Sequence, residues 1–273
     1  MEKLPIYSRL IRFFKYILLA FFIIIIVIQV YCIFFMNIHK RYELAATLQG
    51  TYLSKFIFWN IKKQAPNFSD IYKEESVAYN KRGMFYQGFK LLNKAVELDP
   101  KEHLGYRGWM KLYKLKDYKG AISDFEKLNK ISPDYANIMP GEDVNYLLAI
   151  SYQGLGDFEK SKKYYERFFK ENDQNRLNNT PYIYVNFGFL LEKMGDYKGA
   201  MLQYNESLKK GTYKYSESYY RKGNLFEKMA IKDSAKICYK KALLQYDKGY
   251  RVKDIYNEVF NEIYREEIQI KVK

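Results

Sequence analysis

Histidine and cysteine are nearly missing from this 273-residue chain, which has two of each. His39 and His103 stand apart, without the neighbours that a catalytic triad or a zinc site requires. Cys32 falls in the most apolar stretch and Cys238 in a stretch that reads as helix, so neither a disulfide framework nor a metal-binding pattern is available. The residues before Cys32, QVY, also lack the small side chains that precede a lipidated cysteine. Proline and glycine are scarce, with 6 and 15 copies, which points to long regular elements and short joints. No stretch alternates like a strand, so no glycine-rich phosphate loop can follow one. Glu74-Glu75 and Glu266-Glu267 read as solvated helix faces. The sequons at 67, 178 and 205 read as chance, the last inside an expected helix. The chain is expected to be no enzyme and to carry no cofactor or metal.

What it does have is apolar and aromatic mass. Apolar residues make up 48% and aromatic ones 18%, including 29 tyrosines, which suits a packed core and not a disordered chain. The net charge is +15, and outside residues 1–36 there are still 42 basic residues against 30 acidic ones. The lysines are interleaved with glutamates and form no run, the pattern of a solvated helical surface and not of a nucleic-acid site. Such a surface favours acidic protein partners or anionic lipid headgroups.

From Tyr16 to Met36 the sequence reads YILLAFFIIIIVIQVYCIFFM, without a charge and with Gln29 as its strongly polar residue. As a helix this stretch spans about 31 Å, the thickness of a bilayer's hydrocarbon. It is too long for a signal peptide's apolar region, and VYCIFFMNIHK offers no cleavage site. An uncleaved membrane helix is expected. Lys3, Arg9, Arg12 and Lys15 precede it, against Lys40, Arg41 and then Lys55 after it, so the positive-inside rule places the N-terminus in the cytoplasm and the remainder on the far side.

The rest of the chain repeats one phrase. GDYKGA at 195–200 is nearly KDYKGA at 116–121, and GDFEKS at 156–161 echoes both. The turn positions are Gly83, Lys116, Gly156, Gly195 and Ala230, spaced by 33, 40, 39 and 35. Seven residues before the turn stands a small residue (Ser76, Ala149, Gly188, Gly223), although in the second unit Gly108 stands eight before. Five residues after the turn comes another (Gly88, Ala121, Ser161, Ala200, Ala235), and four further on Leu92, Phe125, Tyr165, Tyr204 or Tyr239. Two amphipathic stretches per period of this length signal helix-turn-helix repeats. Helices crossing at 8–10 Å need a small contact residue, which the large one then flanks. The turn residue is expected to be left-handed, and Asp117, Asp157 and Asp196 are expected to cap the second helix. Thr180-Pro181 reads as the start of another helix.

These matches, with Tyr79, Ala95 and Pro100 in the first unit, Pro133 in the second, Tyr152 in the third, and Tyr219, Phe226 and Ala242 in the fifth, resemble the tetratricopeptide repeat. The resemblance covers about residues 69–247. Departures are Phe168 and Ser207 where a small alanine is usual, prolines missing from the last three units, and the inserts DYANIMPG and DQNRLNNT. It implies an all-α solenoid of about five repeats. Around it are expected a basic flank (1–15), the membrane helix (16–36), a helical linker (37–68) and a capping helix (248–273). In the linker, Leu44, Leu48, Tyr52, Phe56 and Trp59 share one helical stripe; KFIFWNI is expected to pack on the first repeat in preference to lying in the bilayer surface. In the cap, Val252, Ile255, Val259, Phe260 and Ile263 share another.

The resemblance also implies where a partner binds, because in this family the first helices of the repeats line a concave groove for peptides. Carried onto this sequence, the groove residues are Tyr146, Ile150 and Gln153, then Val185, Phe189 and Lys193, then Tyr220, Asn224 and Lys228, with Trp109 or Met110 depending on register. Lys73 fits the clamp of chaperone-tail receptors but Val77 does not, which argues against that subtype. The function expected is a single-pass adaptor, of a bacterial inner membrane, that holds a protein or peptide segment in the groove. The alternative is a regulatory or immunity-type subunit that restrains one enzyme or toxin.

Overall fold

In the computed structural model, Gly83, Lys116, Gly156, Gly195 and Ala230 all take left-handed backbone, with φ of 73°, 53°, 86°, 82° and 58°. These are the five positions at which the repeated phrase places a turn. Lys116 and Ala230 have a side chain there, so the junction geometry dictates the conformation even where glycine is absent. The structure describes residues 6–132, 143–171, 181–210, 213–254 and 257–273, and every regular element among them is helical. Thr180, Pro133, Ile255 and both inserts lie outside the described residues.

The chain divides into two compact units, residues 1–100 and 101–273. The first holds α1 (Ile6–Phe34), α2 (Ile38–Thr47), α3 (Tyr52–Gln64), α4 (Ser69–Lys81) and α5 (Phe85–Leu98). Within α1, residues 9–31 are long and apolar enough to cross a membrane. Phe35 and Met36, expected to close that span, lie past the helix end. The linker is a hairpin of two helices where a single helix over 41–62 was expected. The chain breaks at Leu48–Thr51, with Gly50 at φ 85° and the Thr51 hydroxyl accepting from Ser54 N–H at 3.1 Å. The expected stripe is split accordingly: Ile57, Phe58 and Ile61 pack on Ala45, whereas Tyr52 is 92% and Trp59 53% exposed. The close contact sits nearer the turn than in the repeats. The Ser54 hydroxyl donates to the Ala45 carbonyl at 2.7 Å, five residues before the turn glycine.

The second unit holds α6 (Pro100–Met110), α7 (Tyr118–Ile131), α8 (Val144–Leu155), α9 (Phe158–Glu171), α10 (Pro181–Lys193), α11 (Tyr197–Lys210), α12 (Ser216–Lys228), α13 (Lys232–Asp247) and α14 (Arg265–Val272). Helix α6 runs into a π-helical turn at Lys111–Leu115. A π turn adds one residue to the helix, which is why Gly108 stands eight and not seven residues before its turn. Helices α8 and α9, α10 and α11, and α12 and α13 pair as antiparallel hairpins.

Each hairpin is pinned by the small-large contact. Gly188, Gly108 and Gly223 have no room for a methyl: an added Cβ would lie 2.6 Å from a ring carbon of Tyr204, Phe125 and Tyr239 respectively. Ala121, Ala149, Ser161 and Ala200 are fully buried, as are Phe125, Tyr165 and Tyr204. The three buried phenols donate back to the first helix, each to the residue four past the crossing: Tyr165 to Gln153 at 3.1 Å, Tyr204 to Glu192 at 2.8 Å and Tyr239 to Glu227 at 2.8 Å. A buried hydroxyl left unpaired costs about 1–3 kcal/mol, so these acceptors are part of the junction. The aspartates cap as expected. Asp117 accepts from Gly120 N–H at 2.9 Å and Asp196 from Gly199 N–H at 2.8 Å, while Asp157 accepts from Lys160 N–H at 3.2 Å. An added Cβ at Gly120 or Gly199 would meet the capping carboxylate at 2.1 or 2.3 Å, which explains the glycine of KGA and the longer bond to Lys160.

The expected C-terminal helix is corrected. Among the described residues of that stretch only Arg265–Val272 is helical, and residues 251–254 and 257–264 are not, although their apolar residues fit a helical stripe. Tertiary bonds to their main chain, described below, override that local periodicity. Helix α14 still packs on α13, burying Ile268 among Tyr239, Ala242 and Ile263.

Replacing Gly188 with Ala should cost about 1–3 kcal/mol by overpacking against Tyr204. The urea midpoint should fall with the helical signal before unfolding unchanged. An unshifted midpoint would mean that the two helices do not touch at this point.

Candidate functional site

Helices α8, α10 and α12 read VNYLLAISYQGL, PYIYVNFGFLLEK and SESYYRKGNLFEK. The aromatic and aliphatic residues of α8 and α10 exceed what one hairpin contact can bury, whereas α12 is mostly polar. Ten residues of α8 and ten of α10 are buried. The surplus is covered by the chain's own segment after α13.

That segment is held mainly through its backbone. Ser216 N–H donates to the Tyr250 carbonyl at 2.9 Å, and Val252 N–H donates to Glu217 Oε1 at 2.9 Å. Glu258 pairs with Lys116 at 3.5 Å. The chain then returns to α10, where the Tyr182 hydroxyl donates to the Phe260 carbonyl and Asn261 Nδ2 donates to Asn186 Oδ1 at 3.0 Å. Arg221 Nη2 donates to the Asn261 carbonyl at 3.3 Å, and Asn261 itself is left-handed at φ 61°. Val252, Val259 and Phe260 pack on the core built by Tyr146, Ile150 and Val185, and Ile263 joins Tyr220 and Tyr239. Asn186, fully buried, donates from Nδ2 to the Tyr146 hydroxyl at 2.9 Å and accepts from Gln153 Nε2 at its carbonyl, 3.4 Å away.

The sequence-derived groove residues fall into three groups. Tyr146, Ile150, Val185 and Tyr220 are buried at 8%, 0%, 1% and 8% exposure, in the cores that the C-terminal segment covers. Gln153, Asn224 and Lys228 are engaged within the fold: Gln153 and Asn224 accept from Tyr165 and Tyr239 of their own hairpins, and Lys228 pairs with Glu192 of the preceding one at 2.7 Å. Phe189 and Lys193 remain at the surface; the Lys193 ammonium lies 5.2 Å and the Arg221 guanidinium 4.1 Å from the Phe189 ring centre. Trp109 is half-buried, stacked on Tyr106 and tilted against Tyr113, while Met110 is buried at 2% exposure. Reading the sequence missed Asn186, Glu217 and Arg221. Asn186 carried a signal, a polar residue between Val185 and Phe187 on a first helix; Glu217 and Arg221, with Ser216, Ser218 and Lys222 beside them, carried none.

Glu217 is the electrostatic centre of this face. At 1% exposure, burial pushes its carboxyl up to about 7, and Glu262 adds to the rise; the backbone N–H of Val252 and the Arg251 guanidinium pull the other way. Its Oε2 has no hydrogen-bond partner among the described residues. The histidines take no part: His39 lies edge-on to Phe68, and His103 is buried in α6.

A family model described as tetratricopeptide repeat matches residues 142–175 and 216–245. No curated protein matches the chain. Among solved structures, the fold is similar to PilW, titled a widely conserved type IV pilus biogenesis factor, at 14% identity and TM-score 0.60 over 79% of this chain and 96% of that one. It is similar to PilF of Pseudomonas aeruginosa at 16% identity and TM-score 0.58, over 86% and 100%. It is also similar to YrrB, titled a TPR protein with an unusual peptide-binding site, at 18% identity and TM-score 0.53 over 71% and 94%. At these identities the likeness is one of fold.

Glu217 makes a pH prediction. With its folded pKa above the ordinary value of 4.5, the folded state retains a proton that the unfolded chain has released between about pH 4.5 and 7. Stability therefore falls as pH rises through that window and levels off above it, by roughly 3 kcal/mol at most. Urea unfolding at pH 5 and 7.5 should show this loss in the wild type and little of it in Glu217→Gln, whose amide oxygen can still accept from Val252. An equal loss in both would assign the slope to other groups.

Proposed function

We propose, for a chain built on tetratricopeptide repeats, that it is an adaptor which holds an irregular segment of another protein at a membrane. The observation that carries this reading is the face formed by α8, α10 and α12. It grips a non-helical segment by its main chain, through Glu217, Tyr182 and Arg221, while aromatic and aliphatic side chains receive that segment's apolar residues. Main-chain bonds give affinity for an extended or looped peptide, and the apolar contacts between them give selectivity. Phe189 and Lys193 on α10, with the half-buried Trp109 on α6, are proposed to contact the partner directly.

Helix α1 supplies the anchor in this proposal, with residues 16–36 in the bilayer, the N-terminus cytoplasmic and the repeats on the far side of a bacterial inner membrane. The similar structures, a pilus biogenesis factor and a repeat protein with a peptide-binding site, support the reading of a scaffold of the envelope. The surplus of basic residues favours an acidic partner surface.

A photo-crosslinking residue at 189 should give a discrete, protein-sized adduct in cells, and the same residue at Lys240, exposed on the second helix of its hairpin and not on α8, α10 or α12, should not. Equal labelling from both positions, or none from 189, would remove the groove reading. Topology reporters fused after residue 60 should be active only in the form that works outside the cytoplasm; activity of the cytoplasmic reporter would reverse the orientation.

A further inference from the structure

The face proposed to bind a partner is already filled. We propose that residues 251–254 and 257–263 are a resident pseudo-ligand of that face, which a partner's acidic-apolar segment must displace in order to bind. This rests on the groove reading above and adds to it the gate and the chemistry of the ligand.

The way the segment is seated distinguishes it from the helical core. The hairpin contacts are saturated: Phe125, Tyr165, Tyr204 and Ala200 are wholly buried, and each phenol has its acceptor. The segment is looser. Val252, Val259 and Phe260 are only half-buried, Lys253 and Asp254 are exposed, and the Glu258 carboxylate is 58% exposed in a long ion pair with Lys116. Three polar atoms along the contact are buried and unpartnered among the described residues: Glu217 Oε2, Arg221 Nε and Asn257 Oδ1. Each such group weakens the closed arrangement relative to one in which water or a better-fitting ligand reaches it. A segment held by bonds to its own main chain can be replaced by any chain offering the same main-chain groups, and those bonds do not depend on its sequence.

The occupant also specifies what replaces it. The position of Phe260 and Val259 over the core of α8 and α10 calls for an aliphatic-aromatic pair. Asn261 meets Asn186, so a carboxamide or another side chain able to donate follows that pair. Lys116 calls for a carboxylate just before the pair, and Arg221 for a main-chain carbonyl just after it. The ligand class is therefore a non-helical peptide of the form acidic, aliphatic, aromatic, carboxamide, as in the sequence of residues 258–261.

Occupancy has a cost that can be measured. When the competent state is populated only in a fraction of molecules, the apparent affinity for an external ligand falls by that fraction. The test uses the full chain in detergent and a fluorescent synthetic peptide of residues 251–264 as the probe, read by anisotropy. Phe260→Asp in the protein releases the resident segment, and this variant should bind the probe at least about tenfold more tightly than wild type. The second arm is Asn186→Cys with Asn261→Cys, in a chain whose Cys32 and Cys238 are replaced by Ala; oxidation locks the segment in place. The oxidised chain should not bind the probe, and reduction should restore binding.

Equal affinity of wild type and Phe260→Asp, or undiminished binding by the oxidised chain, overturns the gate. Absence of binding to every form also overturns it and makes the segment a permanent part of the fold. The groove reading is judged apart from this, by the crosslink at 189 in the locked chain. An adduct as strong with the segment locked as with it free leaves that reading standing and removes the gate; no adduct in either state removes the reading itself.

Discussion

Two helices approach to 8–10 Å only where one of them presents Gly, Ala or Ser at the contact, and this chain meets that condition repeatedly. Ser76 with Gly88, Gly108 with Ala121, Ala149 with Ser161, Gly188 with Ala200 and Gly223 with Ala235 are all buried, each beside a large side chain. The approach fixes the rest. It sets the left-handed turn that joins the two helices, the aspartate that caps the second in three of the units, and the acceptor to which each buried phenol donates. It also leaves the first helices of the second unit side by side with more apolar surface than their own hairpins cover. A face of that kind needs an occupant, and here the occupant is supplied by the same chain.

What could be read in the sequence is what depends on local spacing. The five turn positions, the capping aspartates and the small-large contacts follow from residues a few places apart, and each is found where the spacing puts it. The register slip at Gly108 was visible as an anomaly, and the π turn at Lys111–Leu115 supplies its cause. The linker hairpin was not legible. Its small residue, Ala45, lies five places before Gly50 and pairs with Ser54, so it answers to a different crossing point and left a continuous apolar stripe that imitates one helix.

The C-terminal stretch misled for a related reason. Val252, Val259, Phe260 and Ile263 recur at helical intervals, but the groups that decide their conformation lie far away in sequence, at Tyr182, Asn186, Glu217 and Arg221. No local pattern can report a bond of that range. The groove residues show the same division. The family resemblance assigned Tyr146, Ile150, Val185 and Tyr220 to the groove-lining helices, but it did not tell whether a neighbouring repeat, a partner or the chain's own end covers them.

The account stands on steric contact at the helix crossings, and a double-mutant cycle on Gly108 and Phe125 tests it most directly. An added Cβ at Gly108 would lie 2.6 Å from a ring carbon of Phe125, a fully buried side chain with no polar atom to complicate the comparison. Measured by urea unfolding, Gly108→Ala should be clearly destabilising in the wild type and cost at least about 1 kcal/mol less in a Phe125→Leu background, where the space has been opened. The same cost in both backgrounds would mean that the glycine is not there to let the helices meet, and the basis for the whole arrangement would be lost.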